Sequence, residues 1–369
     1  MRWSPVRVIV ALVAALMIGF STAYVASSEV RYLTRAGLEE TQILTERKPI
    51  AKVLRRKDLD PAVRGQLELV LQARDAAGGL GLKADDTFTQ YTDVGRDTLL
   101  LVLSASPPDC LCPVTWSYPI VGRVPYKGFF DPKMARSAAG ELDARGLDTY
   151  LRPSGAFSTL GWFNDPLLST ALGGDSVEMA ALVFHEVAHN TLYVKSATPF
   201  NETFAQMVGY RAAEAFFRER NDSVRAQRAA DRWHDEMMLG AFYDSLAARL
   251  ETLYTAHPDS AALAEGRADA GRWSREQLEG PVGTGLRTIQ VGRMTDRPVN
   301  NARLIAARIY RTRSALFEEW YQRNGGDIRL TVERLQPVVA GAEGDSAFTR
   351  LEAALRLPPP AADSAEARP

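Results

Sequence analysis

The pattern of apolar and polar positions differs between the two halves of the chain. Short apolar runs predict strands in the first half, at 98–103, 116–124, 149–151 and 157–160. A helix is predicted over 132–145, because Asp131 can cap its start and Gly146 can end it. From Ser176 onward the spacing is almost entirely helical. This order predicts an α+β fold, in which a small mixed β-sheet with a backing helix precedes a largely helical C-terminal half.

The same pattern predicts four parts along the chain. They are a signal peptide or membrane anchor (1–28), an N-terminal α/β part (30–175), a helical part (176–345) and a disordered, proline-rich tail (357–369). Further helices are expected over 30–56, 61–77 and 300–323, and a loop is expected over 281–298.

The N-terminus has the composition of an export signal. Arg2 and Arg7 precede an apolar run over 8–20, which is followed by small residues. Extended to Val25, this run reaches about the lower length limit for a membrane span. A cleaved signal and a retained anchor both place the remainder outside the cytoplasmic membrane, because flanking basic residues stay on the cytoplasmic side. We therefore expect a periplasmic or other extracytoplasmic protein, attached to the membrane if the segment is uncleaved.

Charge and cysteine content restrict the remaining possibilities. The chain has 369 residues and a formal net charge of −1, so electrostatics provide no case for a nucleic-acid partner. Its two cysteines are Cys110 and Cys112. An export compartment would tend to oxidise them, although a bridge across one residue closes a tight and therefore labile ring. A loop with two free thiols is the alternative.

The strongest chemical signal is the pentapeptide His185-Glu186-Val187-Ala188-His189, which has the pattern H-E-x-x-H. On a helix, positions i and i+4 share one face, so the two imidazoles can bind one metal ion. Glu186 can then act as general base toward a water molecule that zinc activates. A capping box of Asp175 and Glu178 would start this helix near Ser176. A surface helix with two incidental histidines is the alternative, but an apolar stripe indicates burial: Val177, Ala180, Ala181, Phe184 and Ala188.

A catalytic zinc ion usually has three protein ligands, so a third is expected beyond the two histidines. The extended motif with a third histidine is excluded, because Leu192 and Lys195 occupy its glycine and histidine positions. A second helix, which Thr198 can cap, would carry Glu202 in its first turns. The short loop between the two helices would bring Glu202 close to His189, which makes it the predicted third ligand. Weaker alternatives are Glu214, His234 and His257.

Other segments of the chain follow a known pattern. They are 119–130, 158–167, 184–189 with 193–195, 200–205, and 300–304 with Tyr310. Over about residues 30–340 the chain resembles the bacterial family of "putative aminopeptidase" proteins, which are predicted zinc peptidases. The resemblance implies a zincin-like fold and an aminopeptidase in which His185, His189 and Glu202 bind zinc and Glu186 is the base. The 200–205 segment is also similar to the glutamate helix of the large zinc aminopeptidases, although the gap after His189 is shorter here.

A peptidase of this type also needs a hydrogen-bond donor for the oxyanion that forms when water attacks the carbonyl. Tyr310 and Asn301 are favoured by the resemblance, and the other candidates are Tyr193, Tyr210, Asn300 and Arg303. Tyrosines at helical spacing belong more often to a core, and Asn300 can serve as a helix cap. The predicted strand over 157–160 is a candidate sheet edge for pairing with an extended substrate.

These features together predict an exported, zinc-dependent peptidase that acts on peptides or proteins. The alternative is a non-catalytic envelope protein in which the metal only braces two helices. That alternative requires a fourth protein ligand and gives Glu186 no role, so the presence of Glu186 favours the enzyme.

Overall fold

The structure is a computed structural model that describes residues 5–118, 122–155, 166–295 and 297–357. Within these residues the α-helices are α1 (Pro5–Ala26), α2 (Ser28–Glu46), α3 (Ile50–Val53), α4 (Pro61–Ala77), α5 (Pro132–Asp143), α6 (Ser176–Thr191), α7 (Thr198–Glu219), α8 (Ser223–Thr255), α9 (Ser260–Glu279), α10 (Pro281–Gly285), α11 (Asn301–Arg308), α12 (Ser314–Arg323), α13 (Ile328–Val339) and α14 (Ser346–Arg356). The strands are β1 (Lys48–Pro49), β2 (Gln90–Thr92), β3 (Leu100–Ser106), β4 (Trp116–Tyr118), β5 (Gly122–Val124), β6 (Lys127–Phe129), β7 (Asp148–Ser154) and β8 (Leu167–Leu168).

The described strands form two small sheets and a hairpin. The first sheet has the order β1-β2-β8 and is mixed, because β2 is antiparallel to β1 and parallel to β8. The second has the order β6-β3-β7 and is antiparallel, with Leu101 opposite Phe129 and Pro153. With its extensive helical half, the chain therefore has the α+β fold that the sequence predicted.

The single strand predicted over 116–124 is instead a pair of short strands. β4 and β5 pair with each other, with Trp116 opposite Val124. The run contains Pro119, which has no amide proton to donate to a sheet and so disfavours a continuous strand. Residues 119–121 lie outside the described residues, as do the strand predicted over 157–160 and the predicted tail beyond Leu357.

Helix α5 is the predicted backing helix of the second sheet. It begins after Asp131, whose carboxylate accepts hydrogen bonds from the backbone of Lys133 and Met134. One face of α5 buries small alanines against the sheet residues Leu103 and Phe129. Small side chains let the helix lie close to the strands, which covers this face of the sheet.

At the N-terminus, α1 stands apart from the packed cores. Its segment Val8–Ala26 is long and apolar enough to cross a membrane, and none of the segment is buried. Helix α2 starts anew after Ser27, whose hydroxyl accepts a hydrogen bond from the Val30 amide. The helical stretch predicted over 30–56 thus corresponds to α2 and the short α3.

The largest core lies in the helical half, where α6 and α7 pack against each other and against α4. Five phenylalanines are almost completely buried there: Phe184, Phe200, Phe204, Phe216 and Phe317. Burial of such a side chain stabilises the fold by about 1.5–3 kcal/mol. A second core joins α8, α9 and α11. The candidate metal helix is therefore held inside the most extensively packed part of the molecule.

The helix predicted over 300–323 is broken into α11 and α12. Arg313 has a φ of 52°, a left-handed conformation that ends helical geometry. The last carbonyls of α11 are satisfied by side chains, since Arg311 donates to Ala307 and Thr312 donates to Arg308. No glycine or proline marks the break, so local sequence rules did not indicate it. The loop predicted over 281–298 also differs, because Pro281 begins the short helix α10.

Candidate metal centre

Helix α6 carries the H-E-x-x-H pentapeptide and begins at Ser176, as predicted. The carboxylate of Asp175 caps it by accepting hydrogen bonds from the amides of Val177 and Glu178. The predicted capping box is only half present. The Glu178 carboxylate accepts hydrogen bonds from Tyr210 and Arg232 instead of reaching back to the cap residue. These bonds tie the start of α6 to α7 and α8.

The two histidines lie one helical turn apart and face each other. The Nε2 atoms of His185 and His189 are 3.2 Å apart, and the ring planes are nearly perpendicular. His185 is buried and His189 is half-buried. The other ring nitrogen of each, Nδ1, is also buried and has no hydrogen-bond partner among the described residues. Both Nε2 atoms therefore point toward the same small region of space.

Helix α7 carries Glu202 into this region. The helix begins at Thr198 itself, so Ala197 occupies the cap position that the sequence had suggested for Thr198. The loop before α7 is held by Asn201, which is buried. The Asn201 side chain accepts a hydrogen bond from the Val194 amide at 2.9 Å and donates one to the Val194 carbonyl at 2.8 Å. This two-point contact fixes the loop next to Glu202.

The carboxylate of Glu202 completes a group of three donor atoms. Its Oε2 lies 3.3 Å from Nε2 of His185 and 3.7 Å from Nε2 of His189. A tetrahedral zinc site with bonds of about 2.0–2.2 Å separates its ligand atoms by roughly 3.3–3.6 Å. The two nitrogens and the carboxylate oxygen therefore fit a zinc ion in both chemistry and spacing. Within the described residues this is the only group of three or more potential ligands close enough to hold a metal.

The electrostatics of the group keep Glu202 ionised. Burial alone would raise its pKa, but hydrogen bonds from His185 and His189 outweigh burial and lower the pKa to about 2. In the same way, burial would lower the pKa of His189, yet the Glu202 and Glu186 carboxylates raise it. Glu202 is thus anionic at neutral pH, which is the state in which a carboxylate binds a metal.

A glycine on α7 lets the two helices approach closely at this point. A Cβ atom on Gly209 would lie 2.8 Å from the Ala181 carbonyl oxygen and 3.4 Å from Cβ of His185. The first distance is far below ordinary contact, so any larger residue would push α6 and α7 apart. The distance between the histidine pair and Glu202 depends on this close crossing.

Tyr310 lies beside the group, in the break between α11 and α12. Its ring centroid is 6.0 Å from that of His185. Burial, followed by the nearby Glu202 carboxylate, raises the pKa of Tyr310, so the phenol remains protonated at neutral pH. The half-buried Glu186, which follows His185 in the chain, also contributes to this increase. A general base candidate and a hydrogen-bond donor therefore lie next to the three metal-ligand candidates.

A family model described as "Putative aminopeptidase" matches residues 31–344. The chain belongs to this family. No curated protein and no solved structure matches it. Membership in the aminopeptidase family indicates peptidase activity, and the matched range agrees with the resemblance over about residues 30–340.

The structure places several other candidates of this aminopeptidase-family chain away from the three ligands. Asn301 is buried, and its side chain contacts Tyr254 and the carbonyls of Pro107 and Cys110. Its amide group is therefore fully used in holding a loop. Asn300 caps α11 by accepting a hydrogen bond from the Arg303 amide, which is the structural alternative foreseen from the sequence.

The remaining tyrosines and alternative ligands also have other contacts. Tyr210 donates to Glu178, and Tyr193 is largely exposed. Of the alternative ligands, Glu214 forms ion pairs with Arg211 and Arg218. His234 contacts Asp235. His257 is exposed at the end of α8. Cys110 and Cys112 form a disulfide bond in the loop that Asn301 holds.

Two residues near the centre were not among the sequence candidates. Tyr126 is 36% exposed, so burial raises the pKa of its phenol only in part, and the Glu202 carboxylate raises it further. Arg152 lowers the pKa of both Tyr126 and Tyr310. Arg152 and Tyr310 line the same cavity. Tyr126 belongs to the 119–130 segment of the family pattern, which was the only signal that could have identified it. Arg152 lies on β7 and had no local signal.

Proposed function

We propose that the chain is an exported zinc peptidase of the aminopeptidase type. The observation that carries this proposal is the convergence of His185, His189 and Glu202, whose three donor atoms lie within 3.7 Å of one another. The zincin-like character of the fold belongs to the same proposal, because the helix pair α6 and α7 supplies all three donors. The aminopeptidase type rests on the family, and export rests on the apolar helix α1.

In such a site zinc supplies two effects, a water pKa lowered to about 7 and polarisation of the substrate carbonyl. The chain's own residues perform the remaining steps. The carboxylate of Glu186 accepts a proton from the attacking water and passes it to the amine that leaves. The protonated phenol of Tyr310 donates a hydrogen bond to the developing oxyanion. Asn301 has no part in this mechanism, because its side chain is committed to the loop around Cys110.

The non-catalytic alternative has less support. A structural zinc site is closed by four protein ligands. The group found in the described residues has three, with Glu186 and Tyr310 beside it. Such an arrangement leaves a coordination position for water or substrate, as a hydrolase requires.

The decisive test is the substitution Glu186→Gln. We expect peptide hydrolysis to fall by about 10²–10⁴-fold, because the amide cannot accept the proton of water. Zinc should still bind at one ion per chain, which elemental analysis by mass spectrometry measures. The matched control is Glu219→Gln at the exposed end of α7, where we expect unchanged hydrolysis. Full activity in Glu186→Gln would eliminate the assigned base, and a zinc-free wild-type protein would eliminate the metal.

A further inference from the structure

A cavity of about 350 Å³ lies beside the candidate metal centre. Its walls come from β7, α8, α9, α11 and the segment that precedes α11. Tyr310 connects the cavity with the candidate metal centre. It lines the cavity, and its ring centroid is 6.0 Å from that of His185. Arg152 also lines the cavity, and its charge acts on the Tyr310 phenol. A substrate bound at the candidate metal centre would therefore lie next to the cavity.

Every charged side chain that the described residues contribute to the cavity wall is an arginine. These are Arg152, Arg297, Arg303 and Arg311. Arg311 is neutralised by the buried Glu236, with its Nε 2.6 Å from Oε2. Among the described ion pairs, none involves Arg152, Arg297 or Arg303. Asp148 acts on Arg303, but it does not line the cavity and is paired with Arg267. The described residues that line the cavity therefore have an excess of positive charge and include no carboxylate.

The positive charge of Arg303 is in an unfavourable environment. Arg303 is half-buried, and its Nη2 donates a hydrogen bond to the Pro298 carbonyl at 2.5 Å. Burial and the neighbouring cation of Arg297 lower the pKa of Arg303. Arg297 is exposed, so solvent weakens the repulsion, but it still disfavours the charge on the half-buried Arg303. An anion bound between them would relieve the repulsion.

The rest of the wall is largely apolar. Phe242, Leu246 and Leu304 line it, and three tyrosines supply phenol groups. A ligand that fits this combination has a hydrocarbon stem and an anionic end. Arginine suits a carboxylate because its guanidinium presents paired N–H donors with matching geometry. A protonated amine, by contrast, would be repelled.

We propose that this cavity is a specificity subsite that binds a carboxylate of the peptide substrate through Arg152 and Arg303. The inference rests on the proposed peptidase function and names its substrate class. The carboxylate belongs either to an aspartate or glutamate side chain or to the C-terminus of the peptide. The free N-terminus of a substrate does not bind here, because the cavity is cationic.

Binding to zinc-loaded Glu186→Gln protein tests the subsite without requiring turnover. The probes are tetra-alanine amide, the same peptide as a free acid, and amidated versions with one alanine replaced by glutamate or by glutamine at each position in turn. We expect at least one carboxylate peptide to bind about tenfold more tightly than its uncharged match, measured by isothermal titration calorimetry. If a glutamate peptide binds more tightly than its glutamine match, the subsite recognises a side-chain carboxylate. If the free acid binds more tightly than the amide, it recognises the C-terminus.

Substitution of the arginines assigns the preference to this cavity. In Arg303→Gln and in Arg152→Gln, each added to the Glu186→Gln protein, we expect the preference to disappear while the uncharged peptides keep their affinity. The matched control is Arg308→Gln, which lies on α11 like Arg303 but pairs with Asp244 and does not line the cavity. The preference should persist in this control.

Two results would overturn the subsite. The first is that charged and uncharged peptides bind the Glu186→Gln protein equally well, or that neither binds. This result is obtained without any arginine variant. The other is a carboxylate preference that survives in both arginine variants. Failure of the peptidase proposal is separate, because it would be seen as zinc-loaded wild-type protein that hydrolyses none of these peptides.

Discussion

Glu202 and Asn201 are neighbours in the chain, and their side chains have different tasks. Glu202 supplies the oxygen that faces both histidines, at 3.3 and 3.7 Å. Asn201 supplies no ligand and instead holds both polar groups of the Val194 backbone. The sequence identified Glu202 through the expected loop length, whereas the role of Asn201 became visible only from its partners. At this scale a candidate ligand depends on the residue that fixes the backbone beside it.

We expect Asn201→Ala to destabilise the protein by about 2–4 kcal/mol, because the Val194 amide and carbonyl lose their partners in a buried place. Zinc affinity should fall by about tenfold or more, since the start of α7 loses its fixed position. Urea denaturation and competition with a zinc chelator measure the two effects. Asn190→Ala is the control, because this exposed side chain on α6 contacts Thr87 and not the loop before α7. An unchanged zinc dissociation constant in Asn201→Ala would refute the positioning role.

At the scale of elements, most helices begin and end where local rules predict. Asp60, Asp131 and Asp175 each cap a helix by accepting hydrogen bonds from backbone amides. Caps and apolar stripes involve residues within one or two turns, so they can be identified without knowledge of the fold. The break after α11 and the pairing of β4 with β5 could not be identified in the same way. They depend on packing partners that are distant in the sequence.

The crossing of α6 and α7 gives a prediction at this scale. Gly209→Ala should force the helices apart and destabilise the fold by about 1–3 kcal/mol, because the new Cβ would overlap the Ala181 carbonyl oxygen. Zinc affinity should fall with it, since His185 lies on the same contact. Gly140→Ala in α5 is the matched control. No atom lies within 4 Å of its added Cβ, so we expect it to be neutral or stabilising by up to about 1 kcal/mol. Equal thermal stability of the two variants would contradict the close-crossing argument.

A second element contact links α8 to the segment that follows α10. The fully buried carboxylate of Asp235 accepts hydrogen bonds from the amides of Arg287, Thr288 and Ile289. Burial opposes ionisation, but these bonds dominate and lower the pKa of Asp235 from 3.8 to about 2. Because the folded state has the lower pKa, this contribution is complete above about pH 4 and is lost as the pH falls through 2.

We therefore expect Asp235→Asn to lower the free energy of unfolding by roughly 2 kcal/mol at pH 7, the equivalent of this pKa shift. The difference between wild type and variant should shrink as the pH falls from 4 toward 2, in urea denaturation at each pH. Asp231→Asn is the control, because Asp231 is less buried and accepts bonds only from the side chains of Arg287 and Gln227, not from backbone amides of that segment. We expect it to cost less than about 1 kcal/mol. A difference for Asp235→Asn that is independent of pH would exclude the charge as its cause.

At the scale of the whole molecule, α1 is separate from the packed cores. Its segment Val8–Ala26 is unburied in the structure, and it is the one segment of the described residues that is long and apolar enough to span a membrane. The family match begins at residue 31, after this helix. The candidate metal centre lies within the matched range, and the core around it continues beyond that range to Phe348 and Leu351 of α14.

Removal of residues 1–26 should leave the fold and zinc binding intact, because none of the apolar α1 segment is buried against the remainder. When both forms are expressed without signal cleavage, the full chain should sediment with membranes and the shortened chain should stay in the supernatant. Centrifugation and thermal unfolding measure these outcomes. A large loss of thermal stability on removal would instead indicate that α1 packs against the folded part.

Local sequence patterns were enough to predict the α+β class, the capped helix from Ser176, the stacked histidines and Glu202 as a ligand candidate. All of these depend on residues within a few helical turns or on one short loop, where local geometry is decisive. The distant residues that surround the H-E-x-x-H helix could not be predicted in this way, because the folded chain brings them together. It brings Tyr310 and Arg152 to this centre and commits Asn301 to a loop elsewhere. Such placements follow from long-range packing, because a side chain's neighbours across a core are not encoded in its local spacing.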